Sequence, residues 1–259
     1  MLQKKTLGST GLNISNLTLG TVKFGRNTAV KYPKPFDLPD IKTCENLLDL
    51  AYDLGFNIID TAPAYGISEE ILGKLLKTRK HQNWIISTKA GETYNPKTQE
   101  SNYNFNPDFI KQSLHNSLKI LNQDSIDVFL IHSDGNDLDI LNNDNLITQL
   151  DKLKSDGLIR AHGISSKTIE GGMLATDLLD CIMVEYNINN KSQLPVIEKA
   201  YKLNKGILIK KGFSSGNIIN NNINNNIKFI LDTKGITSLV IGTINPRHLK
   251  DNCLAAISK

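Results

Sequence analysis

At 259 residues, 39% hydrophobic and 22% charged, the chain is long enough for a large core and ordinary in composition. Its net charge of +4 comes from lysines spread along the chain, which argues against a nucleic-acid tract and suits a small anionic ligand. No apolar run approaches the ~20 residues that span a bilayer, and the scattered Cys44, Cys181 and Cys253 offer no disulfide framework or zinc pair, so a reducing, cytoplasmic setting is expected.

The first elements are short. Leu7-Gly8-Ser9-Thr10-Gly11-Leu12 reads as a glycine turn between two strands, a hairpin suited to plugging the bottom of a barrel. Leu17–Thr21 is the first core strand, with bare backbone at Gly20. Val22–Pro39 has three prolines and no period, so it reads as a loop. Asp40 caps a helix carrying Ile41, Cys44, Leu47, Leu48 and Ala51 at helical spacing, and Gly55 stops it.

Strand and helix then alternate. Strand Phe56–Asp60 precedes a helix from about Ser68. Strand Trp84–Lys89 precedes a polar loop over Glu92–Asn106 and a helix opening at Pro107. Strand Ile126–His132 precedes helix Asn145–Asp156. Strand Ile159–Ser165 precedes a short helix near Thr168–Ala175. Strand Cys181–Tyr186 precedes a helix near Leu194–Leu203. Strand Gly206–Lys210 precedes a helix near Ile223–Leu231, across an Asn-rich stretch, Asn217–Asn226, read as a solvated loop. Strand Leu239–Gly242 precedes a last helix from Pro246 to about Ala256. Eight such units without a composition break predict a closed (β/α)8 barrel, one domain over 1–259, with an N-terminal hairpin plug.

Barrels of this kind place working residues at the C-terminal ends of strands. Asp60, Lys89 and His132 end the second, third and fourth strands, and Tyr65 lies in the second loop. Each has a plainer reading alone. Asp60 caps a turn, Tyr65 packs as an amphipathic ring, and His132 is a satisfied core histidine or, with Asp134, half of a metal site. Together, on consecutive units, they predict proton transfer to a carbonyl oxygen. Tyr65 is the general acid, Lys89 favours its phenolate and lowers its pKa, Asp60 holds Lys89, and His132 orients the carbonyl.

At this point the chain resembles the aldo-keto reductase family, from about Leu7 to Asn252. The marks are Leu-Gly-Ser-Thr-Gly-Leu at 7–12, Leu-Gly-Thr at 19–21, Asp60 with Tyr65-Gly66, Ser-Thr-Lys at 87–89 and Ile-His at 131–132. They continue with Gly-Ile-Ser at 163–165, Glu-Tyr-Asn at 185–187 and Gly-Thr-Ile-Asn-Pro-Arg-His-Leu-Lys-Asp-Asn at 242–252. The resemblance implies a (β/α)8 barrel and reversible reduction of aldehydes or ketones by hydride from NADPH, with NADH as the alternative. It implies the tetrad Asp60, Tyr65, Lys89 and His132.

For the cofactor it implies Gly20 and Thr21 beside the nicotinamide, and Ser165 on the carboxamide with Ser166 in place of an asparagine. Met183 replaces a glutamine and reads as core packing. Lys210 replaces a stacking aromatic; it and Lys211 suit pyrophosphate, and Lys211, Phe213 and Gly216 lie in the matching loop. Gly242, where a lysine is usual, Thr243 and Asn245 fall at the adenosine phosphate, Arg247 or His248 at the 2′-phosphate, and Asp251 and Asn252 at the adenine. Because no further segment follows the last helix, an open pocket is expected, walled by loops 22–39 and 92–106 with Tyr94, Tyr103 and Phe105. A monomer acting on a small carbonyl compound is the expectation. Two other functions stand beside it: a nucleotide-sensing accessory protein with little turnover, and a Schiff-base lyase using Lys89 as nucleophile.

Overall fold

The computed structural model describes residues 1–79, 82–214 and 223–257. Strands β1 (Lys4–Thr6) and β2 (Asn13–Ser15) pair antiparallel around the Gly8 turn as a separate hairpin. Eight parallel strands then close a barrel. In spatial order they are β3 (Leu17–Gly20), β4 (Ile58–Asp60), β5 (Ile85–Ala90), β8 (Ile126–His132), β9 (Ile159–Ser165), β10 (Cys181–Glu185), β11 (Gly206–Lys210) and β12 (Ser238–Ile241), which returns to β3.

Helices fill the crossovers, as a parallel pairing requires. They are α2 (Ile41–Asp53), α3 (Ser68–Lys77), α4 (Pro107–Leu121), α6 (Asp144–Ser155), α7 (Ile169–Leu178), α8 (Leu194–Lys202), α9 (Ile223–Asp232) and α10 (Pro246–Ile257). Two short helices, α1 (Val22–Gly25) and α5 (Asp137–Leu141), lie in loops where none was expected. The Glu92–Asn106 segment is not a plain loop. It holds a second hairpin, β6 (Glu92–Asn95) and β7 (Glu100–Tyr103). Its residues are mostly exposed, so no apolar alternation announces it.

Two apolar layers follow from the strand period of two. Residues facing out meet the helices in the larger core. Residues facing in form a second cluster of Ile58, Val128, Leu130, Ala161, Cys181, Met183 and Leu208, joined from below by Leu7, Leu12 and Ile14 of the hairpin. The hairpin therefore plugs the barrel as expected, and Met183 is core packing. Room for the plug comes from Gly206, where a Cβ would lie 2.4 Å from Leu7 Cδ1.

The same alternation sets the mouth. Two residues past Ile58, Leu130, Leu208 and Val240 come Asp60, His132, Lys210 and Gly242, while Lys89 is four past Ile85. These positions form the uppermost inward layer. Of the Asn-rich stretch, residues 217–222 and the neighbouring Gly216 lie outside the described residues. Asn226 is not solvated: it is buried in α9, accepts from Ile188 N at 3.1 Å and donates to the Gly212 carbonyl.

Leu7→Ala empties a fully buried plug position and is expected to cost about 2–5 kcal/mol, read as a lowered denaturant midpoint with an unchanged slope.

Candidate active site

Asp60 and Lys89 sit on adjacent strands and form one buried ion pair, with side chains 3% and 1% exposed. Lys89 Nζ donates to both Asp60 carboxylate oxygens at 2.7 Å and to the Thr61 carbonyl at 2.9 Å. Its three hydrogens are thereby used. Ser87 Oγ adds a bond to Asp60 Oδ1 at 3.1 Å. Burial pulls the Lys89 ammonium below the ordinary lysine range, and Asp60 opposes the shift.

Tyr65 ends a 3₁₀ turn, Pro63–Tyr65, held by Tyr65 N donating to Ala62 O at 3.0 Å. The next residue, Gly66, has φ of +62°, and a Cβ there would stand 2.1 Å from Gly25 O. Only glycine permits that backbone and that approach, so the turn is locked against α1. The phenol ring meets the His132 ring edge-on, centroids 6.0 Å apart, and Lys89 Nζ lies 4.8 Å from its centroid. The four predicted catalytic side chains therefore converge.

The expected lowering of the Tyr65 pKa by Lys89 does not hold. Lys89 spends its hydrogens on Asp60 and Thr61 and stands against the ring rather than bonding the hydroxyl. Burial, with the Asp60 and Glu92 carboxylates, pushes the Tyr65 phenol well above the ordinary tyrosine value. The group is a fully protonated donor at neutral pH. The same bonds leave Lys89 poorly placed as a Schiff-base nucleophile.

The His132 side chain is largely buried, and burial lowers its pKa; Glu92 opposes the shift, while Lys89 and Lys210 add to it. Its Nδ1 lies 2.9 Å from Glu92 Oε2, but the oxygen is off the ring N–H direction, so the contact is more electrostatic than a directed bond. Glu92 is a residue the sequence reading missed. Although burial acts to raise it, the His132 contact with Ser101 and Arg26 holds its carboxyl at about 2. Ser101 Oγ donates to Oε1 at 2.6 Å, and Arg26 Nη1 lies 3.4 Å away. Arg26 also donates to the carbonyls of Thr28, Ala29 and Ala64 and stacks on Tyr94 at 3.6 Å. Loop 22–39 and the second hairpin are joined through it. Tyr94 is thus occupied by Arg26, and Phe105 packs on the core. A carboxylate two residues past a strand end was the available signal for Glu92; no spacing rule reaches Arg26.

The predicted cofactor residues divide. Gly242 leaves its strand end open, with the Tyr32 hydroxyl 3.5 Å from where a Cβ would stand, whereas Gly20 packs against β12, where a Cβ would meet Val240 Cγ1 at 2.9 Å and Ile241 O at 3.2 Å. Thr21 is buried and its hydroxyl donates to Asp60 O at 3.0 Å and accepts from Ser68, a structural use. Ser165 faces the mouth and accepts from Lys210 Nζ at 2.8 Å. Ser166 turns away: its hydroxyl donates to Asp137 at 2.9 Å, so it does not stand in for the amide side chain. Lys211 pairs with Glu185 at 2.6 Å, and Phe213 packs on the core. Asn245 caps α10, its Oδ1 accepting from Arg247 N at 2.9 Å. Thr243 is buried under that cap and accepts from Asn245 N at 3.1 Å. Arg247, His248 and Asp251 are exposed on the first turns of α10, and Asn252 is buried. The open strand end at Gly242 and the basic first turn of α10 fit a phosphate-bearing dinucleotide.

The model for the Aldo/keto reductase family matches residues 16–226. The chain belongs to the aldo/keto reductase family. A crystal structure of a proposed aldo-keto reductase from Pseudomonas aeruginosa is 46% identical, with a TM-score of 0.88 over 98% of this chain and 93% of that one. An aldo-keto reductase from Bacillus halodurans, in its holo form, shares the fold at 21% identity and a TM-score of 0.85, over 100% and 92% of the two chains. An NADH-specific methylglyoxal reductase of Escherichia coli is 30% identical over 203 residues, 74% of this chain and 61% of that protein. An uncharacterized oxidoreductase of Bacillus subtilis is 32% identical over 169 residues, 64% and 49% respectively. The chain thus spans about half to three fifths of these two curated relatives.

Glu92→Gln removes the charge that opposes the lowering of His132. The imidazole is expected to titrate still lower than in the native protein, read from its ring C–H resonances against pH.

Proposed function

We propose that the protein is an NADPH-dependent reductase of aldehyde and ketone groups, with Tyr65 as the general acid. The observation that carries this reading is the convergence of Tyr65, Lys89 and His132 over one buried Asp60–Lys89 pair. A bound nicotinamide cofactor supplies the hydride. The chain's own groups supply the proton and the field. A carbonyl oxygen between the Tyr65 hydroxyl and the His132 ring gains negative charge as reduction proceeds. Tyr65 passes its proton to that oxygen and becomes a phenolate.

The Lys89 ammonium, 4.8 Å from the ring centroid, then faces an anion where it had faced a neutral phenol. Its attraction grows along the reaction, which is what lowers a barrier. His132, held toward its neutral form by burial, orients the carbonyl, and the Glu92 carboxylate beside it opposes that shift.

The residues that would hold the cofactor are Ser165 in the mouth, the open strand end at Gly242, and the α10 turn with Arg247 and His248. The last two are exposed and basic, which supports NADPH over NADH. The three cysteines are buried and unpaired, which supports a reducing, cytoplasmic setting, and among the described residues no helix is long and apolar enough to cross a membrane.

Loss of 340 nm absorbance with a panel of aldehydes and either cofactor tests the proposal. Turnover is expected with NADPH and is expected to fall by about 100-fold or more in Tyr65→Phe, the scale of a general acid's contribution. Cofactor binding without turnover on any carbonyl would instead favour the accessory-protein reading. Arg247→Ala is expected to raise the KM for NADPH and leave that for NADH little changed; equal effects on both would remove Arg247 from the 2′-phosphate.

A further inference from the structure

The barrel mouth holds a second lysine that, among the described residues, has no carboxylate in contact. Lys210 ends β11, two residues past the inward Leu208, and its Nζ donates to Ser165 Oγ at 2.8 Å and to the Ser166 carbonyl at 2.7 Å. Both acceptors are neutral. Ser165 is the register partner of His132 on the adjoining strand. The amine is therefore drawn across β10 toward the catalytic side of the mouth, and one of its three hydrogens is left over.

Every nearby carboxylate is engaged elsewhere. Glu185, paired in register with Lys210, instead binds Lys211 Nζ at 2.6 Å and Asn190 at 3.2 Å. Asp137 accepts from Ser133, from the Ser166 and Thr168 hydroxyls and from the Lys167 and Thr168 backbone N–H groups. Asp60 holds Lys89, and Glu92 holds His132, Ser101 and Arg26. Among the described residues no carboxylate lies within 4 Å of Lys210 Nζ. Lys211, Lys167 and Lys89 act on it as cations, and Asp137 opposes them from beyond contact distance. An ammonium so placed is costly without an anion. Burial and these cations bring the Lys210 pKa down to about 7.

We propose that Lys210 binds the carboxylate of the substrate, and that the protein reduces carbonyl compounds bearing an acid group, the oxo acids. The inference rests on the reductase reading above. The carbonyl oxygen lies at Tyr65 and His132, and the carboxylate accepts the spare Lys210 hydrogen. Binding an anion raises the Lys210 pKa, so binding takes up a proton. The sign follows directly. Below pH 7 the amine is already charged and affinity is full. As pH rises through 7 toward the higher pKa of the complex, affinity falls, by up to about tenfold per unit.

Calorimetry of oxamate, an unreactive 2-oxo-acid analogue, with the native protein in two buffers of different ionisation enthalpy at pH 7.5 tests this. Uptake of most of one proton per oxamate is expected. Lys210→Met is expected to abolish the uptake and weaken binding about 10- to 100-fold, the scale of a hydrogen bond to a charged group. Lys210→Arg is expected to bind oxamate without pH dependence near 7. Absence of oxamate binding to the native protein, binding with no proton uptake, or equal binding by Lys210→Met would each overturn the inference, and the native measurement decides even if the variants misfold.

Kinetics separate the two readings. Glyoxylate and succinic semialdehyde are compared with their methyl esters, and the acid-to-ester ratio of kcat/KM is expected to fall about 10- to 100-fold in Lys210→Met. Equal losses for acid and ester, with weaker NADPH binding by its own fluorescence, would move Lys210 to a cofactor phosphate and overturn the substrate assignment. No NADPH oxidation by the native protein with any of them sinks the reductase reading, while calorimetry still decides Lys210.

Discussion

The site depends on one buried ion pair. Taking a carboxylate and an ammonium out of water is costly, and the cost is offset only where the geometry is close and the remaining hydrogens are used. Asp60 and Lys89 meet that condition, with two contacts of 2.7 Å, a third bond to Thr61 O and a further donor in Ser87. Removing either partner leaves the other charged and unpaired, a loss on the order of 3–5 kcal/mol. The pair also fixes a cation 4.8 Å from the Tyr65 ring, so structural and chemical demands fall on the same atoms.

The two mouth lysines show how environment divides one residue type. Both belong to the uppermost inward layer of the barrel, and burial lowers both pKa values. Lys89 has a carboxylate on the next strand. Among the described residues Lys210 has a hydroxyl and a carbonyl as its partners, because Glu185 leans out to Lys211 and Asp137 is saturated by the loop after β9. The first is a fixed charge. The second is a charge that waits for a partner.

Around this layer the loops are tied to the chemistry. Arg26, from the first loop, reaches the Glu92 that faces His132, and stacks on Tyr94 of the second hairpin. Loop position and histidine charge are coupled through one guanidinium. The planar fork of arginine suits this double use of carbonyl and ring contacts.

The barrel was legible because apolar runs of strand length recur between amphipathic helices, and because strand period places Asp60, Lys89 and His132 on one inward layer. Tyr65-Gly66 was legible because a phenol beside a turn glycine is a local pattern. The second hairpin was not, since exposed polar strands carry no periodic signal. Nor were Glu92 and Arg26, which act across 66 residues. Ser166 and Asn245 lie in loops at the mouth, yet their side chains serve Asp137 and the α10 cap. A polar side chain chooses among partners by distance and direction, and those exist only after folding. The sequence alone thus determined the order of elements, the plug and which polar residue types end the strands at the mouth. Tertiary structure alone decided which charges are paired, which way the Tyr65 and Lys210 pKa values move, and which hydroxyls remain free for a ligand, because each is set by burial and by neighbours distant in the chain.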